Sequence, residues 1–202
     1  MRRTERDALL VHLGIAVLGA LLLWAPLEWS LGLRVLIFVA SYNAAIVSIG
    51  FWRDHDSWIR LWTFLLPLSM LQVIPDWFLV DVVGSLRFPP QGIAEVGSVP
   101  IHMALMWIVA LFPVLFVGDR LHSRTGWSSL WAVVPVGLGV FALSEMMVTR
   151  LPVWEAVGVE TFHGAACYIL PAELILCVVA DIGWRKTRDD PLIGRVAASA
   201  LI

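Results

Sequence analysis

Arg60–Val83 reads RLWTFLLPLSMLQVIPDWFLVDVV. It is a nearly unbroken apolar run with one carboxylate, Asp76, late in it and a second, Asp81, close to its end. A helix needs about 20 apolar residues to cross a bilayer, so this stretch is long enough to span. An ionisable group at membrane depth is costly and marks a functional site by default. Asp76 is followed by Gly84, Phe88, Pro89 and Gly97, and then by Val99-Pro100-Ile101-His102 in the next apolar segment. A second stretch repeats this order. Leu143-Ser144-Glu145 leads to Leu151-Pro152-Val153-Trp154 and then to Leu170-Pro171-Ala172-Glu173. Asp76 to His102 is 26 residues and Glu145 to Glu173 is 28.

Outward from these two stretches the rest of the chain reads the same way. Of 202 residues, 59% are apolar and 11 are Trp. The sequence predicts an all-α, polytopic membrane bundle forming one integral domain over 1–202. Its six spans fall near 8–27, 31–52, 60–83, 98–118, 128–148 and 160–182. Runs this apolar must satisfy their backbone internally, which helices do. The first run is read as an uncleaved span and not as a signal peptide. The hairpins of about 60–118 and 128–182 enter the membrane in the same sense, as parallel repeats.

Charge sets the orientation. With six spans, Arg2, Arg3, Arg6, Arg53, Arg60, Arg120, Arg124, Arg185, Lys186, Arg188 and Arg195 fall on one side, and only Arg34, Arg87 and Arg150 on the other. The positive-inside rule then puts both termini in the cytoplasm, as expected of a multi-pass protein of a bacterial inner membrane. The net charge of −2 gives no footprint for nucleic acid. Trp24, Trp29, Trp52, Trp58, Trp62, Trp127, Trp131 and Trp184 lie near span ends, where interfacial anchors sit. Asn43 and Ser41 are expected to hydrogen-bond between helices. Cys167 and Cys177, ten residues apart on one helix, are about 15 Å apart and beyond disulfide reach.

The candidate site residues share the outer half of the bilayer: Asp76, His102, Glu145, His163 and Glu173. Glu173 is expected near mid-membrane, with Pro171 beside it freeing the Cys167 carbonyl and kinking the helix. Charged forms are disfavoured away from water, so two carboxyl groups in different surroundings make an acid and base pair. Glu173 takes the acid role here, Asp76 or Glu145 the base, and the two histidines relay or orient. Trp77, Phe78, Trp107 and Trp154 are expected to line the pocket, where ring faces stabilise cations. No His-x-x-His or Glu-x-x-His spacing occurs among the acids and histidines, so no metal or other cofactor is expected. The loop 85–97, rich in proline and glycine, reads as a lid over the helix ends or as a plain connector. The tail from Arg185 reads as a short surface helix at an anionic leaflet or as disorder.

The tandem order resembles the membrane lycopene cyclase domain, the non-flavin type found as two small subunits or as fused repeats. Asp76, Gly84, Phe88, Gly97, Pro100 and His102 follow its pattern in the first hairpin, and Glu145, Trp154, Pro171 and Glu173 in the second. His102 stands where that family carries a carboxylate pair, and the second hairpin has one carboxylate in place of two. The Pro75-Asp76-Trp77-Phe78 stretch is also similar to a group of small bacterial membrane proteins. The resemblance implies a non-redox isoprenoid cyclase or isomerase acting on a hydrophobic isoprenoid or lipid. The alternatives are a non-enzymatic assembly or lipid-binding subunit, and a proton-coupled carrier.

Overall fold

A computed structural model describes residues 2–148, 150–162 and 165–202. The chain is a bundle of α-helices: α1 (Arg3–Trp24), α2 (Leu31–Trp52), α3 (Asp56–Leu71), α4 (Val73–Phe78), α5 (Met103–Thr125), α6 (Leu130–Val148), α7 (Ile169–Thr187) and α8 (Leu192–Ser199). Among the described residues, five helical stretches are long and apolar enough to cross a membrane, with Asp56–Val83 counted as one. They make this a multi-pass membrane protein. The stretch 169–187 is not among the five, because Glu173, Asp181, Arg185 and Lys186 fall within its 19 residues.

Local chemistry sets the breaks. Pro75 has no N–H for the Leu71 carbonyl, and α3 stops at Leu71 before α4 begins at Val73. After Phe78 the helix widens into a π turn, Leu79–Val83, which ends at Gly84 with φ 68°. That left-handed conformation suits glycine. Gly126, φ 71°, ends α5 in the same way.

The core lies where α3 and α5 cross, and Trp58, Phe64, Phe112, Ile108 and Leu115 are fully buried there. Apolar side chains such as Leu10, Val17 and Leu21 face outward from α1, as they do toward lipid. Asn43 donates to the carbonyls of Val39 and Leu105 and accepts from Trp62 Nε1, joining α2, α3 and α5 as expected. Trp24, Trp29, Trp52, Trp127 and Trp131 are exposed. Trp58 and Trp184 are not interfacial. Both are buried in the core, Trp58 edge-on to Phe112 and Trp184 against Phe64.

Ion pairs gather at the end of the bundle that carries most of the arginines. Arg53 donates to Asp7 at 3.0 and 3.3 Å, and His55 lies 2.9 Å from the same carboxylate. Arg188 donates to Asp119 at 2.7 Å, and Arg185 reaches Ser129, which in turn donates to Asp181. The tail forms α8, packed against α3 and α7, with Ile202 over Gly183.

At the opposite end the two inter-helix connections share one plan. Each has a two-residue strand and then a small hairpin before the next helix. In the first, β1 (Leu86–Arg87) precedes β2 (Glu95–Val96) and β3 (Val99–Pro100). In the second, β4 (Glu155–Ala156) precedes β5 (Thr161–Phe162) and β6 (Ala165–Ala166). β1 pairs antiparallel with β4, Leu86 opposite Ala156, so the connections are tied to each other. This plan shortens two expected spans. Residues 98–102, 160–162 and 165–168 form connection in place of helix, so α5 begins at Met103 and α7 at Ile169. Thr161 and Phe162 favour extended backbone, and Pro171 is best accommodated in a first helical turn. It therefore introduces no mid-helix kink, and Glu173 sits about one turn into α7.

Candidate functional site

Beneath the tied connections lies a cavity of about 360 Å³, walled by α4, α5, α6 and α7. Its surface is almost wholly apolar, from residues such as Met103, Val140, Phe141 and Leu176. Three carboxylic acids enter it: Asp76 from α4, Glu145 from the last turns of α6 and Glu173 from the start of α7. They are 6%, 3% and 7% exposed. One oxygen of each, Asp76 Oδ2, Glu145 Oε1 and Glu173 Oε2, is buried without a hydrogen-bond partner. Glu173 lies within electrostatic reach of both other acids. Among the described residues, no Lys, Arg or His lines the cavity.

Aromatic rings complete the wall. The Trp107 indole stands next to Asp76 without completing a hydrogen bond, since its Nε1 is also buried and unpartnered. Trp154 stands next to Glu145. Phe141 packs on Trp107 with ring centroids 5.9 Å apart. Phe88 closes the side beneath the first connection, and Tyr168 closes the side beneath the second. The Tyr168 hydroxyl is 2.9 Å from Ser85 Oγ, a link between the two connections.

The strands above act as a lid with several fastenings. Arg87 pairs with Glu155, and Gln91, which is buried, donates to the Val153 carbonyl. The Gly32 amide at the start of α2 donates to the Gln91 carbonyl at 3.1 Å. A Cβ on Gly32 would lie 2.6 Å from that oxygen, so the close approach requires glycine.

The five acids and imidazoles expected together are therefore divided. Asp76, Glu145 and Glu173 meet in the cavity, with Trp107 and Trp154. His102 does not reach its wall. It caps the start of α5, fully buried, with neither ring nitrogen paired. His163 lies outside the described residues. Trp77 and Phe78 are also corrected: they are 41% and 48% exposed and line no part of the cavity. Each helical residue turns about 100°, so with Asp76 inward the next two side chains face away.

The repeat also has a different register from the one proline suggests. Strand β1 corresponds to β4 with an offset of 69 residues, and the same offset maps Asp76 onto Glu145. The hairpins and the helices after them correspond with an offset of 66, which maps His102 onto Tyr168, the two N-caps. It maps Trp107 onto Glu173. The counterpart of Glu173 is thus an indole and not His102. Phe88 and Ser144, both part of the repeated pattern, line the cavity, and so do Tyr168 and Gln72, which the sequence did not single out. Of these, Tyr168 had a signal: it lies three residues before Pro171, at the position of a helix cap.

Among the described residues, no three His, Cys, Asp or Glu side chains assemble as a metal-holding group. A family model described as a domain of unknown function, DUF6989, matches residues 73–202. The chain belongs to the DUF6989 family. The matched region begins at the first residue of α4, so it contains all three cavity acids, both connections and α8, and leaves out α1 to α3. No curated protein and no solved structure matches the chain.

Proposed function

We propose that this DUF6989 protein is a membrane isoprenoid cyclase or isomerase, working by proton transfer without redox change. The observation that carries the reading is the convergence of three acids with unpartnered buried oxygens on one apolar, ring-lined cavity. Carboxyl groups that serve only to hold helices together would spend their oxygens on neighbouring donors, because a buried polar atom left unpaired costs about 1–3 kcal/mol. Here that cost is retained at three positions around one space. Unpartnered polar groups of this kind are held for chemistry or for a ligand.

In the proposed reaction Glu173 gives its proton to a terminal alkene carbon of the substrate. The π pair forms the new C–H bond and leaves a tertiary cation. An internal double bond attacks that cation and closes a ring, or a neighbouring proton leaves directly and the double bond has moved. Glu145 accepts the departing proton and returns it to Glu173. Product and substrate are isomers, so no oxidant or cofactor enters. The rings of Trp107, Phe141 and Trp154 in the wall shield the cation from water, and the apolar wall admits a polyene from the bilayer. The likeness of the tandem Asp76 and Glu145 hairpins to membrane lycopene cyclases supports the same class of substrate.

The test is expression in cells that accumulate linear polyenes, with extraction and mass analysis of the hydrophobic pool. A product of unchanged mass and altered absorbance is expected from the native chain. Glu173→Gln is expected to lose at least a hundredfold in turnover while eluting as the folded protein in detergent. A fully active Glu173→Gln chain refutes the assignment.

A further inference from the structure

The cavity carries a sign as well as a shape. Its polar groups are three acids and a few neutral side chains, and no basic residue faces it among the described residues. An anionic head entering it would meet acids alone, with no cation to pair. A neutral head would find hydrogen-bond partners but no compensation for charge. A cationic head would find carboxyl oxygens that now lack partners, Asp76 Oδ2, Glu145 Oε1 and Glu173 Oε2. It would also find the aromatic rings of Trp107, Phe141 and Trp154 in the wall. Aromatic faces with acids beside them are how proteins hold quaternary ammonium groups in dry sites. A buried charge is tolerated where it is paired, and this cavity offers the pairing only to a positive ligand.

Size narrows the class. The 360 Å³ space is near the lower end of the roughly 300–1,000 Å³ of small-molecule sites, room for one compact group and a short chain. That is a substituted ammonium head and the first carbons of a tail. The cavity is partly open, so the rest of a chain can leave it. The wall is apolar, which disfavours small hydrated amines.

We infer that the cavity is a selective binding site for lipophilic ammonium ions, with the head between the three acids and the tail leaving through the open side. This inference concerns the cavity of the proposed reaction but requires no turnover there. It predicts ligand choice by charge.

The test is a titration of the intact protein in lipid nanodiscs, read by tryptophan emission. Dodecyltrimethylammonium is compared with dodecanol and dodecanoate, which share its tail. Saturable binding of the ammonium is expected at concentrations at least tenfold below those for the other two. Glu145→Gln combined with Glu173→Gln is expected to weaken the ammonium at least tenfold and to leave dodecanol unchanged. Should the double variant not fold, Asp76→Asn and Trp154→Phe take its place, each expected to weaken the ammonium severalfold. Equal affinity for ammonium and alcohol, or ammonium affinity unaffected by loss of the acids, overturns the inference. Ammonium binding without any polyene product upholds it and removes the cyclase. Polyene turnover without ammonium selectivity does the reverse.

Discussion

Polar residues inside this bundle fall into two kinds, and stability separates them. Asn43 spends its amide on Leu105 and Val39 and accepts from Trp62. Interhelical hydrogen bonds in membranes are worth about 0.6 kcal/mol on average and up to about 1.7. Asn43→Leu is therefore expected to lose about 1 kcal/mol, read as a lower melting temperature in detergent. Glu173 leaves one oxygen unpaired and gains nothing of the kind. Glu173→Leu is expected to melt at or above the native temperature while losing all activity. If it melts well below, the acid holds the bundle together and the cavity is not its purpose. The acids themselves were legible in the sequence, since a carboxylate in an apolar run stands out whatever surrounds it. The rings that join them were legible in part, since Trp107 and Trp154 line the cavity as expected and Trp77 and Phe78 do not. Trp77 is adjacent to Asp76 in sequence yet faces outward, while Trp107, thirty-one residues on, faces in.

Elements were legible where hydrophobic length governs and illegible where pairing between distant loops governs. Five of the six expected spans match long apolar helices within several residues. Strands of two residues, as in β1 and β4, carry no periodicity to read, and their pairing joins positions 68 or 70 apart. The lid over 85–97 rests on that pairing and on the seat of Gln91 at Gly32. Opposed residues of an antiparallel pair lie about 4.5–5.5 Å apart at Cα, within disulfide range. Leu86→Cys with Ala156→Cys, in a Cys167→Ser background, is thus expected to crosslink on mild oxidation and to slow ligand exchange, with reversal by reductant. Gly32→Ala is expected to do the opposite. Its Cβ would press on the Gln91 backbone and side chain and on Ile93. Limited proteolysis should then cut within 85–97 faster than in the native chain. The Arg87–Glu155 pair is exposed, and such pairs contribute about 0–1 kcal/mol, so Arg87→Ala should leave that rate nearly unchanged.

For the molecule as a whole, the decisive question is whether α7 crosses. By composition it falls short, with four charged side chains in 19 residues. Its length, at 1.5 Å per residue, is about 28 Å, close to the roughly 30 Å of a hydrocarbon core. Its charges are placed to permit a crossing. Glu173 faces the cavity, Asp181 is buried and accepts from Ser129, and Arg185 and Lys186 lie in the last turn, where long cationic side chains reach the interface. α7 also packs along α6 and touches α5, the position a sixth member of the bundle must take. Six crossings would return the C-terminus to the side of the N-terminus, and the arginine distribution predicts that side to be the cytoplasm. Fluorescent-protein fusions at either end are therefore expected to glow, and alkaline phosphatase fusions at either end to stay inactive. A phosphatase joined after Ile202 that is active, while one at the N-terminus is not, would mean five crossings. The carboxyl of Glu173 would then enter from a re-entrant or interfacial segment, and the cavity would open to water in place of lipid.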